Sequence, residues 1–222
     1  MSKFAFFDLD NTLVDQSGAL DAWARRFVAG RGLDPASVDW FEVKSGSITW
    51  LEFSAQIKAH FRLPDTVEQL MREVADSYPK LFALDDGVAD GLAMLRERGW
   101  KLAVVTNGRT AMQSAKMDWV NLWPRVDGVF ISEAEGVSKP DRAIFERAAK
   151  GLDVELGRDG WMVGDTLDAD IEGGVAAGLR TIWLNRGRTR PDGAPVPDYE
   201  CPSVAEAIQL IATDEGWLGP GR

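Results

Sequence analysis

From about residue 86 onward the chain alternates short strand-like runs with stretches of helical period. Strands are read at 101–106 (KLAVVT), 126–132, 160–164 (GWMVG) and 180–184, with helices at 87–98, around Met112, Ala115 and Trp119, at 140–150 and at 168–178. A further run, 3–9, is apolar on both faces until it meets acids. A strand apolar on both faces is buried on both sides, as in a parallel sheet covered by helices. Repeated strand-helix units therefore predict an α/β fold: a doubly wound, Rossmann-like parallel sheet with right-handed crossovers. Such sheets bind ligands beyond the carboxyl ends of their strands. A last helix is expected from Ser203 to about residue 212, with a loosely held tail from Thr213.

Between the first strand and this alternation lies a block of different character. Leu20, Trp23, Ala24, Phe27 and Val28 form one helical stripe, with Arg25 and Arg26 on its far side. Trp50, Phe53, Ile57 and Phe61 form a second, opened by Thr49 and Glu52 in capping-box spacing. Val67, Leu70, Met71, Val74 and Tyr78 form a third, which Pro79 should end. No strand pattern interrupts them, so residues 15–86 read as a small helical unit set into the chain.

Composition narrows the chemistry. A length of 222 residues suits one large domain, or a domain carrying an insertion, and 45% apolar with 27% charged residues is ordinary for a globular protein. The net charge of −10 argues against a nucleic-acid polymer or an anionic membrane as partner. No apolar run reaches the roughly 18 residues of a membrane span. The early acid in MSKFAFFDLD does not suit a signal peptide, so a cytoplasmic protein is expected. Cys201 is the only cysteine and His60 the only histidine, which excludes a disulfide framework, a thiolate cage and a histidine-rich metal site.

The strand ends carry the candidates. The first strand ends in Asp8-Leu9-Asp10-Asn11-Thr12, the second in Thr106-Asn107-Gly108, and the fourth in Gly164-Asp165-Thr166-Leu167-Asp168-Ala169-Asp170. Ser138-Lys139-Pro140 lies between the third strand and its helix. Two carboxylates about 4 Å apart repel by roughly 4 kcal/mol at an effective dielectric of about 20. Acids gathered there need a cation, and an all-oxygen donor set favours Mg²⁺ over zinc or copper. Pro140 fits the first position of a helix, which puts Lys139 beside a helix N-terminus, the unfavourable end for a cation unless acids and phosphate surround it. Residues 106–108 lead into another helix N-terminus, where backbone N–H groups can hold phosphate oxygens. Asp168 is expected to cap its helix, and Asp170 could merely complement that helix's dipole.

Taken in order, FDLDNTL, VVTNG, SKP and VGDTLDADIEGG resemble the four motifs of the haloacid dehalogenase superfamily, in its phosphatase branch with a helical (C1-type) cap. The resemblance covers nearly the whole chain. It implies a catalytic core of residues 1–14 and 87–222 and a cap of residues 15–86, with hinges near 14–17 and 84–87. It implies a Mg²⁺-dependent phosphomonoesterase acting on a small phosphorylated metabolite. Asp8 would be the nucleophile that forms an aspartyl-phosphate, and Asp10 the general acid and base. Thr106 and Asn107 would bind phosphate, and Lys139 would neutralise charge on Asp8 and on the phosphoryl group. The metal would be held by Asp8, the main-chain oxygen of Asp10, and Asp165, with Asp170 as a further ligand or in the outer shell. The family's dehalogenases lack an acid at the position of Asp10, because halide leaves without a proton; its presence argues against C–halogen hydrolysis. A phosphomutase on sugar phosphates and a non-catalytic phospho-aspartate or binding module stay open as alternatives, as do a monomer and a homodimer.

Substrate choice would belong to the cap. Residues 40–46 join two of its helices. Trp40 and Phe41 are expected to pack within the cap, with base stacking as the alternative, and Lys44 could meet an anionic group. His60 is expected at the surface, Cys201 to be unreactive, and the arginines at 186–190 to lie in a solvated loop, with guidance of anions as the alternative.

Overall fold

The computed structural model describes residues 3–44 and 49–213, with the side chains of 42–44 excepted. The elements run β1 (Phe4–Phe7), α1 (Gln16–Gly30), α2 (Val38–Lys44), α3 (Trp50–Phe61), α4 (Val67–Ser77), α5 (Val88–Glu97), β2 (Lys101–Thr106), α6 (Thr110–Trp119), β3 (Gly128–Ile131), the single turn α7 (Ser132–Glu135), and α8 (Arg142–Gly151). Then follow β4 (Gly160–Gly164), a π-helical turn (Leu167–Glu172) continued by α9 (Gly173–Ala176), β5 (Arg180–Leu184), β6 (Tyr199–Cys201) and α10 (Val204–Thr213). All six strands are parallel, in the order β3-β2-β1-β4-β5-β6.

Side chains alternate across each strand and feed two separate cores. Phe4 and Phe6 of β1 join Val105, Met162, Ile144, Phe145 and Ala148 on the α8 side. Ala5 and Phe7 join Val104, Val163, Leu92, Leu95 and Ile208 on the α5 and α10 side. Burial on both faces is why these strands carry no polar face. The expected doubly wound sheet is therefore present, and β6 is an added edge strand whose three residues are too short a run to carry a readable period.

The helical block contains one more helix than its apolar stripes indicate. α2 occupies the segment expected to be a junction, because Asp34 caps a 3₁₀ turn at Pro35–Ser37 that runs straight into it. Thr49 and Glu52 make both bonds of the expected capping box, and Thr66 and Gln69 make a second one on α4. Trp23 is the hub of the block: its ring lies within 6.2 Å of Phe27, Phe41, Phe53 and Tyr78, and its indole N–H donates to Ser77 Oγ at 2.8 Å. Phe41 is fully buried and Trp40 stacks on the exposed His60 at 4.4 Å, so both aromatics are packing residues. Ser45, Gly46, the Lys44 side chain and the tail beyond Thr213 lie outside the described residues.

The two connections between block and sheet run side by side. Val14 and Leu84 form an antiparallel bridge, Asp85 N donates to Leu13 O at 3.0 Å, and Asp15 N to Ala83 O at 3.4 Å. Ser17 already belongs to α1, which Asp15 caps through Gly18 N. No described helix is long and apolar enough to cross a membrane.

Candidate active site

The strand order decides what meets at the carboxyl edge. β1 pairs with β2 on one side and β4 on the other, and Asp8 N extends the second pairing by donating to Val163 O at 2.9 Å. The residues that leave β1, β2 and β4 therefore open onto one cleft of about 700 Å³, lined by Asp8, Asp10, Thr106, Lys139, Asp165 and Asp170 among others. Two acids more than 150 positions apart in the chain become neighbours because their strands are adjacent.

Asp8, Asp165 and Asp170 each offer a carboxylate oxygen, all within 4.8 Å of one another. Lys139 ties two of them together: its Nζ donates to Asp8 Oδ1 at 2.7 Å and to Asp170 Oδ1 at 2.6 Å. Asp170 also accepts from Thr166 N through Oδ2 at 3.0 Å. A Cβ at position 164 would lie 2.1 Å from that oxygen, so only glycine lets Asp170 reach under the strand end. Lys139 itself is set in place by Asn107, whose side-chain amide donates to Lys139 O and accepts from Lys139 N, both at 2.9 Å.

The electrostatics follow from burial. Desolvation, opposed by Lys139 and reinforced by Asp170 and Asp10, pushes Asp8 up to about 7. Desolvation and the charge of Asp8 push Asp165 up to about 6, with Arg188 pulling it back. Burial also raises Asp170 against the pull of Lys139. Burial alone would lower Lys139, but Asp170 and Asp8 outweigh it and hold the ammonium above its ordinary value. A cluster of three acids facing one buried ammonium is short of positive charge, and its donors are all oxygens. The residues present fit a hard divalent cation such as Mg²⁺.

Several sequence expectations need correction. Pro140 is not the first helical residue. α8 starts at Arg142, because Asp141 is the cap and accepts from Ala143 N at 2.9 Å; Lys139 is held by acids rather than placed at a helix end. The start of α6 does not present free N–H groups at 108 and 110, since Gly108 N donates to Ser132 Oγ and Thr110 N to Glu133 Oε2. Asp168 is exposed and caps nothing; Asp170 makes the bond to the turn instead. The arginines at 186–190 are not merely solvated. Arg188 Nη2 reaches Asp165 O at 2.8 Å and Oδ2 at 3.3 Å, while Arg186 bonds Asn11 O and Asp85, tying the β1 loop to the connection with the helical block.

Asp10 stands apart from the carboxylate cluster. Its side chain is taken by two residues of α6, Lys116 and Gln113, that the apolar-stripe reading missed. The buried residues of α6 are Gln113, Lys116 and Met117, whereas Trp119 is 52% exposed. Thr106 Oγ1 accepts from Gln113 Nε2 at 2.8 Å and donates only a long 3.4 Å contact to Asn107 O. The Asn107 side chain spends its oxygen and one amide hydrogen on Lys139, and both Thr106 and Asn107 line the cleft.

Known proteins resemble this chain in sequence and in fold. The model of the haloacid dehalogenase-like hydrolase family matches residues 3–178. The chain is 29% identical over 224 residues to a pyrimidine 5'-nucleotidase, PynA, of Streptococcus pneumoniae, covering 94% of each. It is 30% identical over 200 residues to a glyceraldehyde 3-phosphate phosphatase of Pyrococcus abyssi, covering 85% of this chain and 83% of the relative. Among solved structures, the magnesium-bound putative HAD-hydrolase YfnB of Bacillus subtilis shares the fold with a TM-score of 0.72 at 24% identity, over 95% of this chain and 98% of its own.

Proposed function

This chain belongs to the haloacid dehalogenase-like hydrolase family and is a hydrolase of phosphoric monoesters, and from that premise we propose that it transfers phosphoryl groups from a small phosphorylated metabolite to water through Asp8. The observation that carries the reading is the Lys139 bridge between Asp8 and Asp170 beside Asp165. A carboxylate attacking a phosphate dianion meets like charge. Lys139 offsets part of it, and preorganised cations also stabilise the charge that spreads over the phosphoryl oxygens. Asp8, Asp165 and Asp170 would hold Mg²⁺, which when bound supplies further charge neutralisation at those oxygens. Asp170, with bonds to Lys139 and Thr166 N already made, suits the outer shell.

In the first step an Asp8 oxygen bonds to phosphorus as the ester oxygen leaves with a proton from Asp10. In the second, Asp10 takes a proton from water as that water bonds to phosphorus and the acyl-phosphate bond to Asp8 breaks. The second step restores both carboxyl groups and releases phosphate. Residues 15–86 act as the cap in this reading. They add Gln16 to the cleft lining, and their closure over the paired connections would exclude water from the first step.

Hydrolysis of p-nitrophenyl phosphate by the purified protein with Mg²⁺ tests the reading. EDTA should abolish it, and Asp8→Asn should lower kcat/KM by about 10³-fold or more, as removal of a nucleophile does. Turnover persisting in Asp8→Asn would reject Asp8 as the group that accepts phosphorus.

A further inference from the structure

Lys116 is as buried as Lys139, with 2% of its side chain exposed, yet it touches none of the three clustered acids. Its Nζ donates to Asp10 Oδ1 at 2.7 Å and to Oδ2 at 2.8 Å, and sits 5.0 Å from the centre of the Phe82 ring. Gln113 Nε2, one helical turn earlier, donates to the same Oδ2 at 3.0 Å and to Thr106 Oγ1 at 2.8 Å. Room for Gln113 comes from Gly108, where a Cβ would lie 3.0 Å from Gln113 Cδ and where φ is +149°. An ammonium is taken out of water only where geometry and charge compensate it. Here the compensation is a two-oxygen grip on one carboxylate, reinforced by an amide.

We propose that Lys116 and Gln113 are positioning residues that clamp the Asp10 carboxylate on the leaving-group side of the cleft, away from the acids around Lys139. Oδ2 takes both Gln113 and Lys116, whereas Oδ1 takes Lys116 alone. Oδ1 is therefore the less tightly held oxygen, and the one placed to carry the proton that Asp10 gives in the first step. That proton passes to the ester oxygen as the P–O bond breaks, and is replaced by one from water in the second step. The clamp rests on the proposed role of Asp10, and it predicts more than a structural ion pair would. A residue that only supports the fold weakens all substrates alike. A residue that aims the acid matters in proportion to how much the leaving group needs a proton.

The test compares kcat/KM, which reports the steps up to departure of the leaving group, for an alkyl phosphate such as glycerol 3-phosphate and for 2,4-dinitrophenyl phosphate. Lys116→Met should lose about 100-fold or more on the alkyl ester, in the range of general acid catalysis, and less than about 10-fold on the dinitrophenyl ester. Lys116→Arg should recover much of the alkyl-ester loss. Gln113→Leu, which keeps the ion pair and serves if Lys116→Met fails to fold, should show a smaller loss with the same dependence on leaving group. Equal losses on the two esters, or none, in a variant that folds would overturn the clamp. Wild-type turnover of both esters, lost in Asp8→Asn, is the separate check on the phosphatase reading, so the two can fail independently.

Discussion

Inside the helical block the buried side chains are apolar and centred on rings: Trp23 is surrounded by Phe27, Phe41, Phe53 and Tyr78, with Leu20, Ile57, Leu70 and Val74 buried in the same core, and its one polar atom donates to Ser77. At the carboxyl ends of β1 and β4 the buried side chains are instead Asp8, Lys139 and Asp170. The first arrangement gains free energy from removing apolar area from water, roughly 25 cal/mol per Å². The second gives free energy up, since each charge leaves water and is only partly repaid by its partner. Fold stability resides in the rings, and the acids are tolerated because the surrounding sheet is stable enough to hold them. Substitutions in the helical block should therefore cost stability alone, whereas those at the strand ends should cost activity as well, and stability where they leave a buried charge without its partner.

Lys139→Met should have the largest effect on both. It leaves Asp8 and Asp170 buried with no cation between them, which costs about 3–5 kcal/mol when one partner of a buried pair is removed. Urea unfolding at pH 8 measures the stability loss, and phosphate release should fall to background. The stability loss should shrink at pH 5, below the value of about 7 to which burial already lifts Asp8, which can then take up a proton. A change under about 1 kcal/mol at pH 8 would mean that the triad is far more hydrated than its burial implies.

A smaller effect, still specific to the cleft, is expected from pH and metal. Desolvation foremost lifts Asp8 to about 7 and Asp165 to about 6, both above the ordinary 3.8. Between those limits the folded, metal-free chain binds protons that the unfolded chain has released. Stability in EDTA should therefore fall as pH rises from about 4 towards 7, by on the order of a few kcal/mol, and level off above. Mg²⁺ competes for the same oxygens, so its stabilisation should be largest at pH 8 and smallest at pH 5. Thermal unfolding with EDTA and with Mg²⁺ at pH 5, 6 and 8 reads both trends. A melting temperature in EDTA that rises from pH 5 to pH 8 would contradict the direction.

The same contrast decides which residues are legible in the sequence. Asp8, Asp165 and Lys139 were legible because each follows a buried strand or precedes a helix, and a parallel sheet collects such positions at one edge. Lys116 was not. Its partner is 106 positions away, and on α6 alone a lysine at helical spacing reads as solvated, so the helix is marked in the sequence by Met112, Ala115 and Trp119 instead. The available signal was Gln113, Lys116 and Met117 at i, i+3 and i+4, a polar-apolar stripe that only a charged counterpart in the β1 loop makes sensible. Arg188 was missed for the same reason, since its acceptor at Asp165 belongs to another strand end. Long-range charge compensation leaves no local period, whereas the aromatic stripes of the helical block do.

The smallest expected effect tests whether the block is separable from the chemistry. Thr66 caps α4 by accepting from Gln69 N at 3.2 Å, while Gln69 Oε1 accepts from Thr66 N at 2.7 Å. Asp170 makes a related bond in the cleft, a side-chain oxygen accepting a main-chain N–H at a helix start. Thr66→Ala removes only the cap bond and should lower stability by about 1 kcal/mol. α4 buries Leu70 and Val74 within the block and lines no part of the cleft, so kcat/KM on p-nitrophenyl phosphate should stay within about twofold of wild type. Asp170→Ala deletes a comparable local bond but also the second acceptor of Lys139, so activity should collapse. If Thr66→Ala lowered kcat/KM in proportion to its loss of stability, the helices and the cleft would be one cooperative unit, and the division between fold-bearing rings and charge-bearing strand ends would not hold.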